Sequence, residues 1–196
     1  MPKPSHREKL LRVGMQVVHE RGFAGASVRD IVQAAGVPQG SFTNHFASKE
    51  AFGLEVIGLY FAGALDSMRE TLRNDDLPPL RRLRLYIDDG KNRLDKDSMK
   101  NGCLFGNFTA GASDCSEPIR LRLVEVFAEV QDAIAYCLRA AVKAGELSPS
   151  IDCDKIAAFI VSSLQGANLL AKAQRSPLPV ERFTEVLFGS VLRRIG

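Results

Sequence analysis

The stretch Ser27-Val-Arg-Asp-Ile-Val-Gln-Ala-Ala-Gly-Val-Pro-Gln-Gly-Ser-Phe-Thr-Asn-His-Phe-Ala-Ser-Lys49 predicts two short helices broken at Ala35-Gly36-Val37. Gly36 can adopt the left-handed conformation that ends a helix, and Pro38 suits the first turn of the next one. Phe42 and Phe46 mark the buried side of the second helix. Its other positions are small or hydrogen-bonding and almost uncharged: Gln39, Ser41, Thr43, Asn44 and His45. Such a surface can approach base edges in a major groove, although an ordinary corner between two helices would show the same break.

Positive charge is concentrated around this stretch. Residues 1–50 hold seven Lys and Arg against four Asp and Glu, whereas the rest of the chain holds 19 of each sign. The whole formal net charge of +3 therefore lies beside the predicted pair of helices. Because a phosphate backbone attracts such an excess, the charge distribution favours a DNA partner over a simple helical corner.

The composition is that of a globular protein. With 196 residues, 45% of them hydrophobic and 25% charged, the chain can bury a core in one domain or in two small ones. A run of about 18 uncharged apolar residues is absent, which argues against a membrane-spanning helix. The N-terminus, residues 1–9, lacks the apolar core of a signal peptide. We therefore expect a cytoplasmic protein with no membrane partner.

Apolar residues recur with the helical period throughout, which predicts an all-α fold of about nine helices. Ser5 and Glu8 form a capping box for the first helix, and Ser27, Ser48 and Ser116 are candidate N-caps further along. The later helices are predicted over residues 49–73, 79–97, 104–112, 153–175 and 179–195. A long helix between the third and fourth of these is capped by Ser116 and closed by Gly145 and Pro149. This pattern divides the chain into a three-helix headpiece at residues 1–48 and a second helical domain at residues 49–196. We expect the second domain to bind an effector and to form a dimer.

A single short helix-turn-helix reads too few base pairs to be specific, so proteins that use one usually bind DNA as dimers. The last two helices offer the natural dimer surface, with candidate residues Phe159, Ser163, Ala167, Phe183, Leu187 and Val191. The alternative is that both helices complete the core of one subunit.

Catalytic motifs are missing from the sequence. It contains no phosphate-binding glycine loop, no Gly-x-Ser-x-Gly and no His-Glu-x-x-His. The four cysteines have no Cys-x-x-Cys spacing and lie far from the histidines, which argues against a metal site. We therefore expect no enzyme activity, no cofactor and no metal. The alternative is a helical ligand-binding or enzymatic bundle that does not bind DNA.

The stretch from Ser27 to Lys49 resembles the DNA-binding helix-turn-helix of the TetR family of transcriptional repressors. The matching residues are Ser27, Ile31, Ala35-Gly36-Val37, Gly40, Phe42, His45-Phe46 and Lys49. Many members have a tyrosine in place of Thr43, so the DNA contact of that ring is not carried over. The resemblance implies a homodimeric repressor that binds a palindromic operator in double-stranded DNA and leaves it on meeting a small-molecule effector. The candidate DNA-binding residues are Ser27, Arg29, Val37, Pro38, Gln39, Gly40, Ser41, Thr43, Asn44, His45 and Lys49.

A narrower resemblance concerns the effector site. Residues 101–120, with Gly-Cys-Leu and then Cys115-Ser-Glu, and residues 166–172 are similar to a branch of the family that responds to reactive electrophiles and oxidants. This resemblance implies a sensor thiol at Cys103 with Lys172 near it. Lysines just before Cys103 in the sequence would also favour its thiolate. Cys115 is a second candidate, although its acidic neighbours disfavour a thiolate. A noncovalent apolar ligand between the middle helices is the alternative.

Overall fold

A computed structural model describes residues 5–112 and 114–193 of the chain. Over these residues it forms nine α-helices and one π-helical turn and has no β-strand, so the predicted all-α fold is confirmed. The helices are α1 His6–Arg21, α2 Val28–Ala35, α3 Ser41–His45, α4 Lys49–Glu70, α5 Pro79–Asp95, α6 Leu104–Ala112, α7 Glu117–Lys143, α8 Cys153–Gln174 and α9 Leu178–Val186, followed by the π-helical turn Leu187–Val191.

The predicted caps begin the helices as expected. The Ser5 hydroxyl accepts a hydrogen bond from the Glu8 backbone N–H at 3.2 Å, and the Ser5 N–H donates to the Glu8 carboxylate at 3.1 Å. The Ser48 hydroxyl accepts from the Ala51 N–H at 3.0 Å, and the Ser116 hydroxyl accepts from the Ile119 N–H at 3.3 Å. Each cap satisfies a backbone N–H that has no partner inside its helix.

Three helix ends differ from the prediction. The helix α4 ends at Glu70 instead of residue 73, and α5 ends at Asp95 instead of residue 97. After α5 the chain turns sharply because Ser98 and Met99 both adopt left-handed conformations, with φ of 58° and 61°. The last helix changes to π-helical hydrogen bonding at Leu187, and its predicted end at residue 195 lies outside the described residues.

The chain divides into two compact units. The first comprises Met1–Ala62 and Leu104–Val124, and the second comprises Gly63–Cys103 and Glu125–Gly196. The first unit therefore extends past the predicted domain boundary at residue 48, and it includes the start of α4 together with α6. The division into a DNA-binding domain at residues 1–48 and an effector-binding and dimerisation domain at residues 49–196 remains a prediction about function.

The core of the first unit forms around Phe52 of α4, which is fully buried. A side chain at Gly14 of α1 would place its Cβ 2.6 Å from Cζ of Phe52 and 2.8 Å from Cγ2 of Ile31. The absence of a side chain at Gly14 therefore lets α1 approach α2 and α4 closely. Gly53 of α4 likewise leaves room for the Phe23 ring, whose Cε2 would lie 2.6 Å from an added Cβ.

The second unit contains a buried arginine that fixes the connection between α4 and α5. Arg82 is 5% exposed, and its Nε donates to the carbonyl oxygen of Leu77 at 2.6 Å. Its other nitrogens donate to the carboxylate of Asp75 at 2.5 Å and to the Asp75 carbonyl at 3.1 Å. Tyr136 of α7 donates to the same carboxylate at 2.8 Å. Hydrogen bonds from Tyr136 and Arg82 lower the pKa of Asp75, so the buried guanidinium has an ionised partner.

Two helices, α4 and α8, are long and apolar enough by composition to cross a membrane, and 39% and 22% of their apolar stretches are buried in the protein. A core helix of a globular protein meets the same criterion. In this chain α4 supplies Phe52, Val56 and Ile57 to the core of the first unit, and α8 supplies Ile160 and Ala171 to the core of the second.

Candidate DNA-binding site

The start of α2 and the turn after it have the predicted geometry. Ser27 caps α2, since its hydroxyl accepts from the Asp30 N–H at 3.1 Å and its N–H donates to the Asp30 carboxylate at 2.9 Å. The Ser27 hydroxyl also donates to the Asp30 carboxylate. This hydrogen bond, the one from the Ser27 N–H, and the Arg21 guanidinium 2.8 Å away lower the pKa of the Asp30 carboxyl group. Gly36 ends α2 with φ of 57°, and its N–H donates to the carbonyl of Gln33 at 3.1 Å. The left-handed Gly36 directs the chain from α2 toward α3.

The helix α3 rests on aromatic side chains. Phe42 and Phe46 are 2% and 3% exposed, and their ring centroids lie 5.3 and 5.0 Å from that of Phe52. The opposite side of α3 and the residues before it are exposed: Pro38, Gln39, Gly40, Thr43, Asn44 and His45. The Thr43 hydroxyl donates to the carbonyl of Gly40 at 3.1 Å. The exposed side is thus polar and narrow, as a helix that enters a major groove requires.

Ser41 is a correction to the predicted reading surface. The structure buries it to 6% exposure, with its hydroxyl 3.5 Å from Nδ1 of His6 in α1. Because the first turn of α1 covers this side of α3, the Ser41 side chain faces the protein and not solvent. The contact joins residues 35 positions apart, and no local pattern in the sequence signals it.

The other candidate DNA-binding residues lie around this helix. Ser27 and Arg29 are exposed at the start of α2, and Val37 is half-buried in the turn. The Lys49 ammonium lies 4.8 Å above the Phe23 ring and 3.4 Å from the carbonyl oxygen of Ala24. Partial burial lowers the pKa of Lys49. Lys49 is half-buried with these partners at the start of α4.

The candidate sensor residues lie mostly in the second unit. Cys103 is half-buried and follows Gly102, which has φ of 67°. A Cβ on Gly102 would lie 3.0 Å from Cδ of Lys172, so the Lys172 side chain lies against the residue before Cys103. Cys115 is exposed and belongs to the first unit. The structure therefore brings Lys172 to the Cys103 turn across 70 residues of sequence.

A residue of α5 that the sequence did not single out also lies in this region. Burial raises the pKa of the Tyr86 phenol to about 12, the Arg93 guanidinium opposes that rise, and electrostatic interactions with Cys103 and Asp89 add to it. Tyr86 is a common residue on an amphipathic helix, so nothing in the sequence separates it from ordinary core residues.

The other two cysteines are poorer candidates for a reactive thiol. Cys137 is buried, its thiol donates to the carbonyl of Pro79 at 3.1 Å, and burial raises its pKa to about 11. Burial also raises the pKa of Cys153. Both thiols are therefore less ionised at neutral pH than a free cysteine.

The predicted dimer surface is only partly exposed. Phe159 is 44% exposed, and Ser163, Phe183 and Val191 are half-buried. Leu187 and Ala167 are 1% and 7% exposed, because they pack inside their own unit, which removes both from the predicted surface. Four other apolar residues of α8 and α9 are strongly exposed: Leu169, Leu170, Leu178 and Val186.

The described residues contain no group of three or more His, Cys, Asp and Glu side chains that could hold a metal ion. A surface cleft of about 500 Å³ lies in the second unit, lined by Leu65, Met68, Arg69, Arg73, Ala128, Glu129, Asp132 and Ala133. None of the predicted sensor residues lines this cleft.

Comparison with known proteins agrees with this geometry. Residues 10–56 match the family described as bacterial regulatory proteins, tetR family, and residues 79–187 match the tetracyclin repressor-like C-terminal domain. The chain is 36% identical over 192 residues to the transcriptional repressor DhaR of Mycobacterium sp. strain GP1, covering 98% of this chain and 95% of the relative. It is 30% identical to the transcriptional repressor NemR of Escherichia coli K12, covering 89% and 88% of the two chains.

Solved structures show the same fold. The regulatory protein TetR from Rhodobacter sphaeroides superposes with a TM-score of 0.88 at 31% identity, over 92% of this chain and 96% of the other. The reduced form of Escherichia coli NemR superposes with a TM-score of 0.82 at 30% identity, over 90% and 92%. The exposed polar side of α3, the glycine turn before it and these similarities identify the chain as a DNA-binding transcriptional regulator of the TetR family.

Proposed function

We propose that the protein is a repressor that binds a palindromic operator as a homodimer and leaves it when Cys103 is modified by an electrophile or oxidant. The main support for DNA binding is the exposed polar side of α3, whose opposite side packs on buried aromatic residues. Two relatives, DhaR and NemR, are named as transcriptional repressors, which supports repression over activation. A regulator that binds chromosomal DNA is expected in the cytoplasm, and no catalytic step is assigned to it.

The reading residues in this proposal are Gln39, Thr43, Asn44 and His45, which are exposed on or just before α3. Amide groups of Gln and Asn can pair with a base edge through two hydrogen bonds. Arg29 and Lys49 would contact phosphates and set the register on the duplex. Since phosphate contacts carry no sequence information directly, specificity would come from the exposed side of α3.

The dimer in this proposal forms through α8 and α9. Their exposed apolar residues, Phe159, Leu169, Leu170, Leu178 and Val186, are between 44% and 67% exposed. Apolar surface of this extent favours association with another protein surface. Dimerisation would pair two α3 helices on half-sites roughly 34–36 Å apart, which is why we expect a palindromic operator.

The sensor part rests on the place of Cys103 in the chain. The half-buried thiol is next to Gly102, against which the Lys172 side chain lies. Cys103 is also the last residue before the chain enters the unit that contains α3. The next residue begins α6, where Phe108 packs on Phe23 at 5.1 Å between ring centroids.

A modified sulfur at Cys103 would therefore displace the start of α6. Within the first unit α6 contacts α4 as well, because Phe105 lies 4.9 Å from the Tyr60 ring centroid. A shift of these helices changes the position of α3 relative to its dimer partner. Because two half-sites must be engaged at once, a displacement of a few ångströms is expected to abolish operator binding.

A mobility-shift experiment on the DNA that flanks the protein's own gene tests DNA binding, with a shuffled duplex of equal length as the control. Limited alkylation with a maleimide, in which the Cys103 thiolate adds to the maleimide double bond and the adjacent carbon takes up a proton, tests the sensor. Peptide mapping is expected to find Cys103 labelled before Cys115, Cys137 and Cys153. Cys103→Ser is expected to bind DNA normally and to ignore the reagent, and Lys172→Ala is expected to slow the labelling.

Two outcomes separate the parts of this proposal. If the protein shifts no flanking DNA, the operator assignment is wrong. If Cys103 labels no faster than Cys137, or Cys103→Ser responds like the wild type, the thiol is not the sensor. A noncovalent ligand then becomes the better account of regulation.

A further inference from the structure

The first turn of α1 contacts both ends of α3. At the start of α3, Nδ1 of His6 lies 3.5 Å from the hydroxyl of Ser41, at the outer limit of a hydrogen bond. At its end, the guanidinium carbon of Arg7 lies 5.5 Å from the centroid of the Phe46 ring. A helix contacted at both ends is restrained against tilting.

The helix α3 depends on such contacts because it is short. It has five residues, and Gly40 at its N-cap provides no side-chain hydrogen bond. Isolated helices shorter than about 12–15 residues are marginal in water. Phe42 and Phe46 pack one side of α3 on Phe52. The two ends of α3 are contacted by His6 and Arg7 of α1.

Arg7 is itself held in place by α4. Its Nη2 lies 2.5 Å from Oε2 of Glu55, and the two side chains are 46% and 37% exposed. The carboxylate thus fixes the guanidinium above the Phe46 ring, where a cation is attracted by the face of the aromatic system. The pair therefore forms one link from α4 through Arg7 to the end of α3.

We propose that Arg7, held by Glu55, is a positioning residue for DNA recognition that sets the orientation of α3, with His6 supporting the other end. The proposal rests on the DNA-reading role of α3 proposed above. A half-exposed arginine beside a DNA-binding helix could instead contact a phosphate directly. The two roles predict different effects of the Glu55→Gln substitution.

If Arg7 positions α3, Glu55→Gln loosens the link and lowers the ratio of specific to non-specific affinity. If Arg7 contacts a phosphate, Glu55→Gln releases the guanidinium and removes a negative charge, so both affinities rise and the ratio stays constant. The loss expected for positioning is about two- to fivefold in the ratio, the value of an exposed cation–π contact. Arg7→Ala is expected to lower the ratio by a similar factor, and Arg7→Lys by less.

The specific probe is a duplex that the wild-type protein selects from a random-sequence pool, and the non-specific probe is a shuffled duplex of the same composition. Arg12→Ala is the matched control, because Arg12 is an exposed arginine of the same helix. It is expected to lower both affinities alike, leave the ratio unchanged and reduce the salt dependence. His6→Asn is expected to retain the ratio better than His6→Ala, because the amide can replace Nδ1.

Circular dichroism and a thermal melt of each variant show whether it is folded. If the Arg7→Ala variant does not fold, the ratio of specific to non-specific affinity is measured for Arg7→Lys and Glu55→Gln instead. The proposal is overturned if these two variants keep the wild-type ratio, or if Glu55→Gln strengthens both affinities equally. A wild-type protein that selects no sequence at all would overturn the DNA-reading role of α3 and this proposal with it, whereas a selected motif with unchanged ratios overturns this proposal alone.

Discussion

Replacing Gly14 with alanine is expected to destabilise the first unit, although alanine is the better helix former. An added Cβ would lie 2.6 Å from Cζ of Phe52, 3.3 Å from its Cε2 and 2.8 Å from Cγ2 of Ile31. Optimal contact between carbon atoms is about 3.5–4.0 Å, so α1 must move by about 1 Å. Both neighbours are 0% exposed, so neither side chain can turn out into solvent.

Two opposing terms set the size of the effect. Glycine inside a helix costs roughly 0.5–1 kcal/mol relative to alanine, and the substitution recovers this amount. Overpacking a filled core costs about 1–3 kcal/mol. The free energy of unfolding is therefore expected to fall by about 1 kcal/mol, the difference between the middle values of the two terms. Phe52 also supports Phe42 and Phe46, so operator affinity should fall as well.

Gly58→Ala is the matched control. Gly58 lies inside α4, and a Cβ built there meets no other atom within 4 Å. This variant is expected to gain about 0.5–1 kcal/mol. Urea unfolding of the three proteins at one protein concentration measures both changes. A Gly14→Ala protein as stable as Gly58→Ala would refute the close packing of α1 on Phe52.

Three further predictions concern the DNA and dimer surfaces. Asn44→Ala is expected to cost about 1–3 kcal/mol of operator affinity and to relax specificity at one base pair. Binding to a panel of single-base operator variants measures this change, and unchanged affinity would mean that Asn44 does not contact a base. Lys49→Ala is expected to weaken binding to all DNA sequences alike and to lower the slope of log affinity against log salt concentration by about one. An unchanged slope in a salt titration would mean that the Lys49 ammonium stays on the Phe23 ring and the Ala24 carbonyl. Phe159→Asp is expected to split the dimer and leave the subunit folded, because it buries an unpaired carboxylate in the interface. Leu121→Asp, at an α7 residue that is 48% exposed, should remain a dimer in sedimentation experiments, and a monomeric wild-type protein would contradict the assignment.

The elements of this fold follow closely from the sequence because their signals are local. A serine cap and its partner are three residues apart, as in Ser27 and Asp30, and the left-handed Gly36 acts on the neighbouring turn. The apolar period places Phe42 and Phe46 on one side of α3 without reference to the rest of the chain. The ends of α4 and α5 differ from the prediction because turn geometry competes there with the helical period. The last helix differs in its change to π-helical hydrogen bonding at Leu187.

The candidate site was predictable to the extent that it depends on one helix. The exposed positions of Gln39, Thr43, Asn44 and His45 agree with the structure. The prediction that Ser41 is exposed on this side was wrong, because the side chain is buried against His6 of α1. The prediction that Leu187 and Ala167 lie on an exposed dimer surface was wrong, because both are buried within their own subunit. Helical spacing identifies an apolar stripe but does not show whether the same subunit covers that stripe.

The all-α fold, the helix-turn-helix and the excess of positive charge beside it can be predicted from the sequence alone, because each depends on residue types within one or two helical turns. The contacts between distant segments depend on how the helices pack: Gly14 with Phe52, Arg7 with Phe46 and Glu55, and Gly102 with Lys172. These contacts arise when helices pack and bury side chains against one another, and burial depends on the partner surface, which no local spacing encodes.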